Sequence, residues 1–268
     1  MCQRADTIRT LSALFERGND QTLATIATTT SGRSSEESGG TVSAMSRLED
    51  QLHKLSAFYG ALPTPPRDPF TLFVWEVLSV HSTPFKRDAA LAALKRIPAL
   101  TPDAMSRAPQ KKLEQSTGLA GPYNEQRLRA LRTGVDMFRR APKLPDVIRG
   151  PIVPARRALK GLPQMGEGGA YRMLLFAADH PVLPVDARVS RVARRLGFGD
   201  QEGSFAKTAR SVREAVATQL PVSPDAYRRA FLYLAHHGGA TCTEADPHCS
   251  ICPLVRDCPE GQRRDLHH

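Results

Sequence analysis

Apolar side chains recur every three or four residues from Leu48 onward. The repeat continues through three segments, at Leu48, Leu52, Leu55, Phe70, Phe73, Val74, Val77, Leu78, Leu91, Leu94 and Ile97. An α-helix turns once in about 3.6 residues, so this spacing places the apolar side chains on one face of each helix. Prolines separate the segments, and no alternating strand pattern occurs. The pattern predicts an all-α fold of about ten helices.

The first 45 residues lack this periodicity over most of their length. Residues 28–45, TTTSGRSSEESGGTVSAM, are rich in Ser, Thr and Gly and nearly free of large apolar side chains. Such a segment buries too little apolar surface to offset its ordering entropy. We therefore expect residues 1–45 to form a flexible extension, with Cys2 an ordinary thiol.

The charge balance points to a polyanionic partner. Lys and Arg number 37 against 27 Asp and Glu, which gives a net charge of +10 over 268 residues. A basic surface attracts nucleic acid through its phosphates. No apolar run approaches the roughly 18 residues of a membrane helix, and no secretory signal precedes the fold. We expect a cytoplasmic protein that does not contact membranes.

Four of the five cysteines lie in the last 27 residues. They are spaced as Cys242-x6-Cys249-x2-Cys252-x5-Cys258, after a predicted turn at residues 237–241. Four thiolates suit either a tetrahedral zinc ion or a [4Fe–4S] cluster, because both take four sulfur ligands. The donor set alone leaves that choice open.

A glycine-rich segment, LPQMGEGGA at residues 162–170, separates helical runs at 155–160 and 171–178. Two helices joined by a tight turn can direct backbone N–H groups at a phosphate without reading base sequence. A plain helix–helix connection is the alternative interpretation.

An aspartate opens the next helical segment, LPVDARVSRV at residues 183–192. Asp186 stands where a helix N-cap is expected, and a carboxylate there is most often only a cap. Arg188 and Arg191 follow it, with Arg194 and Arg195 beyond, and we expect these arginines to meet DNA phosphates.

The glycine-rich hairpin, the aspartate and the cysteine cluster, in this order along the chain, resemble the helix-hairpin-helix DNA glycosylase superfamily, and among its members the endonuclease III-like proteins. The resemblance covers about residues 46–262. It implies a helical domain of residues 69–179 with the hairpin at 155–178, and a second domain of residues 46–68 and 180–262. It also implies a [4Fe–4S] cluster in the loop 242–258, held by Cys242, Cys249, Cys252 and Cys258.

In family terms Asp186 is the catalytic carboxylate, but two hairpin positions depart from the family pattern. Gln164 replaces the first glycine of the usual Leu-Pro-Gly-Val-Gly turn, whereas Gly166 matches the second. Gly168 stands where enzymes that also cut the DNA backbone carry a lysine. Without that amine no Schiff base forms, so we expect water to attack the sugar and the lyase step to be missing.

Three further positions carry predictions from the same resemblance. Glu76, in residues 69–84, matches the catalytic acid of adenine-specific members and is otherwise a salt-bridged helix residue. His81 matches the side chain that fills the gap left by a flipped base. Leu119, in GLAGPYN at 118–124, matches a residue that wedges between bases, against simple packing.

The resemblance implies a monomeric base-excision glycosylase of the bacterial nucleoid, acting on duplex DNA with a damaged or mismatched base. A paralogue that binds DNA with little or no catalysis is the alternative, since Gln164 and Gly168 both depart from the active pattern. A redox-responsive DNA-binding protein is a third possibility that no particular residue indicates.

Overall fold

A computed structural model describes residues 45–265. Every regular element in that range is helical, which confirms the all-α prediction. The predicted extension, apart from Met45, and Cys2 lie outside the described residues. Thirteen α-helices and two short 3₁₀ turns follow one another: α1 Arg47–Tyr59, α2 Pro69–Ser79, α3 Pro84–Arg96, α4 Pro102–Arg107, α5 Gln110–Gly118, α6 Asn124–Arg140, α7 Leu144–Arg149, α8 Ile152–Lys160, α9 Glu167–Ala177, α10 Ala187–Arg195, α11 Phe205–Ala217, α12 Pro224–Ala240, Cys249–Ile251, Val255–Asp257 and α13 Pro259–Asp265.

Short polar side chains begin many of these helices. Ser46 and Glu49 form a capping box at α1, in which each side chain bonds the backbone N–H of the other residue. Asp68 accepts from the Thr71 N–H at 2.8 Å, and Pro69 follows it in the first turn of α2. Such caps satisfy N–H groups that have no partner within the helix.

Helix α2 is the centre of one part of the core. Phe73 is fully buried, and its ring lies 5.8 Å from that of Phe138 on α6. A Cβ at Gly134 would stand only 2.1 Å from Phe73 Cζ, so only glycine permits this approach of the two helices. The pair holds α2 and α6 together, and both helices lead to loops of the candidate site.

Helix α9 is a second centre, packing against α2, α7, α8 and α12. It begins at Glu167, so part of the predicted glycine turn at 162–170 is already helical. Helix α10 packs closely on α12, where a Cβ at Gly238 would meet Arg188 Cβ at 2.9 Å. The predicted turn at 237–241 is therefore wrong, because these glycines serve helix contact and α12 continues to Ala240.

Contacts group the chain from Ser46 onward as one compact unit. The division at residues 69–179 stays a prediction. None of the helices within residues 45–265 is both long enough and apolar enough to cross a bilayer.

Candidate active site

The hairpin, the end of α2 and the start of α10 meet at one open pocket of about 950 Å³. Five of the residues selected from the sequence line it: Glu76, Gln164, Gly166, Gly168 and Asp186. Arg172 and Phe205 complete the polar and aromatic parts of its wall. His81, Leu119, Arg188 and Arg191 do not line this pocket.

Asp186 has one carboxylate oxygen engaged and one open. Oδ1 accepts from the N–H groups of Arg188 at 3.0 Å and Val189 at 2.9 Å, as an N-cap of α10. No hydrogen-bond donor to Oδ2 is found among residues 45–265. The cap thus fixes the orientation of the carboxylate and leaves an oxygen for chemistry in the pocket.

Gln164 holds the backbone shape that a glycine would adopt without strain. Its φ is +59°, in the left-handed region, and its side-chain amide donates to the Gln126 carbonyl at 3.4 Å. The substitution therefore leaves the turn intact at a cost of about 1 kcal/mol. Gly166 then caps α9 without a side chain, so the first-turn N–H groups stay accessible to an anion.

Gly168 lies in the first turn of α9 and leaves open space. A Cβ there would have Arg172 Nη1 at 3.6 Å and the Val185 carbonyl at 3.8 Å as its nearest neighbours. These are ordinary contact distances, so the site would accept a side chain. Lys160, before the turn, lies 3.3 Å from Glu167 and not against the pocket.

Glu76 is buried and fully engaged by Arg172. Arg172 Nε donates to Oε1 and Nη2 donates to Oε2, each at 2.6 Å. Burial lowers the pKa of Arg172, but Glu76 and the charge of Asp186 more than offset this, so its pKa lies above the ordinary value. The salt-bridged alternative for Glu76 is present, and its role as an acid stays a prediction.

Two loops beside the pocket carry exposed side chains. The His81 ring lies 4.9 Å from the Tyr123 ring, and both residues have positive φ, +51° and +67°. Leu119 ends α5 with nearly half of its surface exposed. Left-handed backbone at non-glycine residues clusters at functional sites, which makes these loops candidates for contact with a ligand.

Buried Arg127 ties these loops together. Its guanidinium donates to the carbonyls of Val80 at 2.7 Å, Gly121 at 2.8 Å and Ala120 at 3.2 Å, and also to Pro122. None of its partners is a carboxylate, and burial lowers its pKa. Its position on α6, among several other arginines, gave no sequence signal.

The arginines after Asp186 point in different directions. Arg188 is exposed, as a phosphate contact requires. Arg191 instead donates to the carbonyls of Gly238 at 2.6 Å and Cys242 at 3.0 Å. Arg195 donates to the Thr243 carbonyl at 2.7 Å. These contacts favour a role for Arg191 and Arg195 in holding the cysteine loop, and their DNA contacts stay predictions.

The four cysteines line one cavity between α10, the end of α12 and the C-terminal turns. Backbone N–H groups of Leu254 and Gly261 donate to sulfur atoms at 3.4 Å. Burial is the main cause that raises the pKa of the Cys252 thiol to about 11. Within the described residues, no group of three or more His, Cys, Asp or Glu is arranged to hold a single metal ion.

Arg172 and Phe205 line the pocket and were not among the residues selected from the sequence. Arg172 is the one charged residue in the apolar stretch AYRMLLFA, and it stands one helical turn after Gly168, which is a readable signal. Phe205 is about half exposed at the start of α11, and nothing in its sequence surroundings relates it to Asp186.

Comparison with known proteins gives consistent relatives, although no family model matches the chain. Endonuclease III of Treponema pallidum is 29% identical over 194 residues, which is 72% of this chain and 84% of that protein. The chloroplastic endonuclease III homolog 2 of Arabidopsis thaliana is 25% identical over 203 residues. That match covers 75% of this chain but only 51% of the plant protein.

Solved structures agree on the fold. A non-covalent endonuclease III–DNA complex superposes with a TM-score of 0.63 at 24% identity, covering 80% of this chain and 95% of that one. At this identity the superposition speaks for the helical architecture.

Proposed function

Because the chain is a member of the helix-hairpin-helix DNA glycosylase superfamily, we propose that it hydrolyses the N-glycosidic bond of a damaged or mismatched base in duplex DNA. The observation that carries the proposal is the single pocket where the hairpin turn, Glu76 and Asp186 converge. We also propose that it acts as a monomer on nucleoid DNA.

In this proposal the pocket and the loops beside it supply the parts of such a reaction. The open N–H groups at the start of α9 hold a backbone phosphate, helped by the positive end of the helix dipole. Exposed Leu119 and His81 enter the space that the extruded base leaves. Asp186, oriented by its cap, stabilises the positive charge that develops on the sugar and positions a water.

The enzyme uses water and not an amine as nucleophile. No lysine lines the pocket within the described residues, and Gly168 has no side chain to reach C1′. Without a Schiff base there is no β-elimination, so the product is an intact strand with an abasic site.

The cysteine cavity fits a [4Fe–4S] cluster held by Cys242, Cys249, Cys252 and Cys258. The four half-buried thiols line one cavity, and N–H donors to sulfur accompany such clusters. A cluster is larger than a single ion and does not need the four sulfurs to converge on one point. When bound, it supplies iron–sulfur bonds that stabilise the loop.

The central experiment replaces Asp186 with Asn, which keeps the cap and removes the charge. We expect single-turnover excision from a panel of lesion and mismatch duplexes to fall at least about 100-fold. DNA affinity should be equal or slightly higher, because a carboxylate near phosphates is repulsive. Asp68→Asn, the same change at the cap of α2, is the matched control and should keep full activity.

Borohydride tests the nucleophile in the same reactions. The unmodified protein should form no covalent adduct, and its product should break only on heating with alkali. Gly168→Lys places an amine where the pocket has room and should create adducts. Trapping by the unmodified protein, or full excision by Asp186→Asn, would contradict this mechanism.

The cluster has its own test. Purified protein should absorb broadly in the visible range and contain iron, whereas stoichiometric zinc without iron would overturn that assignment. Cys249→Ser or Cys252→Ser should lower the folded yield.

A DNA-binding paralogue with little catalysis remains the second candidate, and the Arg172 ion pair on Glu76 favours it. It would show salt-dependent affinity with no excision from any duplex.

A further inference from the structure

Arg172 has one nitrogen that the Glu76 ion pair does not use. Nε and Nη2 are bonded to the two oxygens of Glu76, and both side chains are largely buried. Nη1 has no acceptor among residues 45–265. Its two N–H groups are therefore donors without a protein partner in the wall of the pocket.

Gly168 leaves this nitrogen open to the pocket. A Cβ at residue 168 would stand 3.6 Å from Nη1, so the absence of a side chain at Gly168 leaves this nitrogen accessible from the pocket. Arg172, Gly168 and Asp186 line the same pocket. The bidentate pair with Glu76 also prevents the guanidinium from rotating, which presents Nη1 in one direction.

We infer that Arg172 is a specificity-determining residue that donates from Nη1 to a carbonyl oxygen of the flipped base. This inference rests on the proposed function. The substrate is then a base that presents a carbonyl oxygen to the pocket, as uracil and thymine do and adenine does not. Adenine offers an exocyclic amine, a donor that opposes the guanidinium, and carries no carbonyl.

The same geometry specifies how the base leaves. The N-glycosidic bond at C1′ breaks and its electron pair stays on the base, where a carbonyl oxygen takes up part of the negative charge. Nη1 stabilises that charge. Water forms the new C1′–O bond and gives its proton to Asp186, which passes it on to the released base. No protonation by Glu76 is required, because both of its oxygens accept from Arg172.

The test measures recognition apart from catalysis. Duplexes that carry 2′-fluoro-deoxyuridine or 2′-fluoro-deoxyadenosine opposite dG resist cleavage, so their affinities report base binding alone. The unmodified protein should bind the uridine duplex at least about tenfold more tightly, the effect of one charged hydrogen bond. Excision from the unfluorinated duplexes should favour uracil in the same sense.

Two variants assign that preference to Arg172. Glu76→Gln/Arg172→Met removes the guanidinium without leaving a buried carboxylate unpaired, and it should lose the preference. Glu76→Gln alone keeps the guanidinium and should keep the preference. Arg139→Met on α6, which removes a cation paired with Asp103, controls for net charge. Thermal unfolding checks that each variant is folded.

Equal affinity of the unmodified protein for the two duplexes, or a preference that survives in the double variant, would overturn the inference. A preference lost already in Glu76→Gln would also overturn it and assign recognition to Glu76. If the protein excises nothing yet prefers the uridine duplex, the proposed function fails while the recognition by Arg172 stands.

Discussion

Two buried arginines organise neighbouring regions of this molecule in different ways. Arg127 donates only to backbone carbonyls of the loops that carry His81 and Leu119. Arg172 forms a bidentate ion pair with Glu76 and keeps one nitrogen open in the pocket. A cation satisfied by carbonyl dipoles defines the shape of a loop, whereas a cation with a spare donor offers a site for substrate.

The difference also appears in the balance of charge. Arg127 has no carboxylate partner, and its Nε is a buried nitrogen without a hydrogen bond. Burying a cation without a counter-charge costs free energy. The hydrogen bonds that Arg127 donates to the loop carbonyls must offset that cost. Arg172 is neutralised by Glu76, and Asp186 adds further negative charge nearby. The pocket can therefore keep a cation at low cost.

The largest expected effect is at Arg127. Arg127→Leu leaves several carbonyls of two loops without donors, and we expect the free energy of unfolding to fall by about 4 kcal/mol. Urea denaturation measures it. Arg127→Lys keeps the charge but has fewer donors. Its free energy of unfolding should lie between those of the unmodified protein and of Arg127→Leu. A loss below about 1 kcal/mol would show that the loops do not depend on this side chain.

Replacing Arg172 should reduce the free energy of unfolding less when Glu76 is replaced as well. Arg172→Met leaves Glu76 buried without a counter-charge, and we expect a loss of about 3 kcal/mol. Adding Glu76→Gln should recover at least half of it, measured by the same denaturation in a double-mutant cycle. Additive losses would mean that the two side chains do not stabilise each other.

A change on the loop surface should affect DNA and not folding. Leu119→Ala removes an exposed side chain, so the free energy of unfolding should stay within about 0.5 kcal/mol. Affinity for a lesion-containing duplex should fall about fivefold more than affinity for an undamaged one, because a wedge acts only where the base is extruded. Fluorescence anisotropy compares the two, and equal losses would argue against a wedge.

The smallest effect is expected in the hairpin. Gln164→Gly relieves the left-handed strain but makes the unfolded chain more flexible, so stability should rise by no more than about 1 kcal/mol. Thermal unfolding measures the change. A clear loss of stability would mean that the Gln126 contact outweighs the strain.

The sequence predicted those features that depend on residues close together along the chain. Apolar spacing of three and four residues predicted the helices, and the order of hairpin, aspartate and cysteines predicted the superfamily. Asp186 was recognisable both as a cap and as a candidate catalytic residue, and the structure places it at the N-terminus of α10 beside the hairpin. Such features depend on neighbours a few residues apart along the chain.

Only the tertiary structure decided which distant side chains meet. Arg172 and Glu76 are 96 residues apart, and Arg127 reaches a carbonyl 47 residues away. The glycines at 238 and 239 lie in a helix because α10 packs against them there, and no local sequence pattern predicts that contact. Helix propensity and capping act within a turn or two, whereas the partner of a buried charge depends on how whole helices pack.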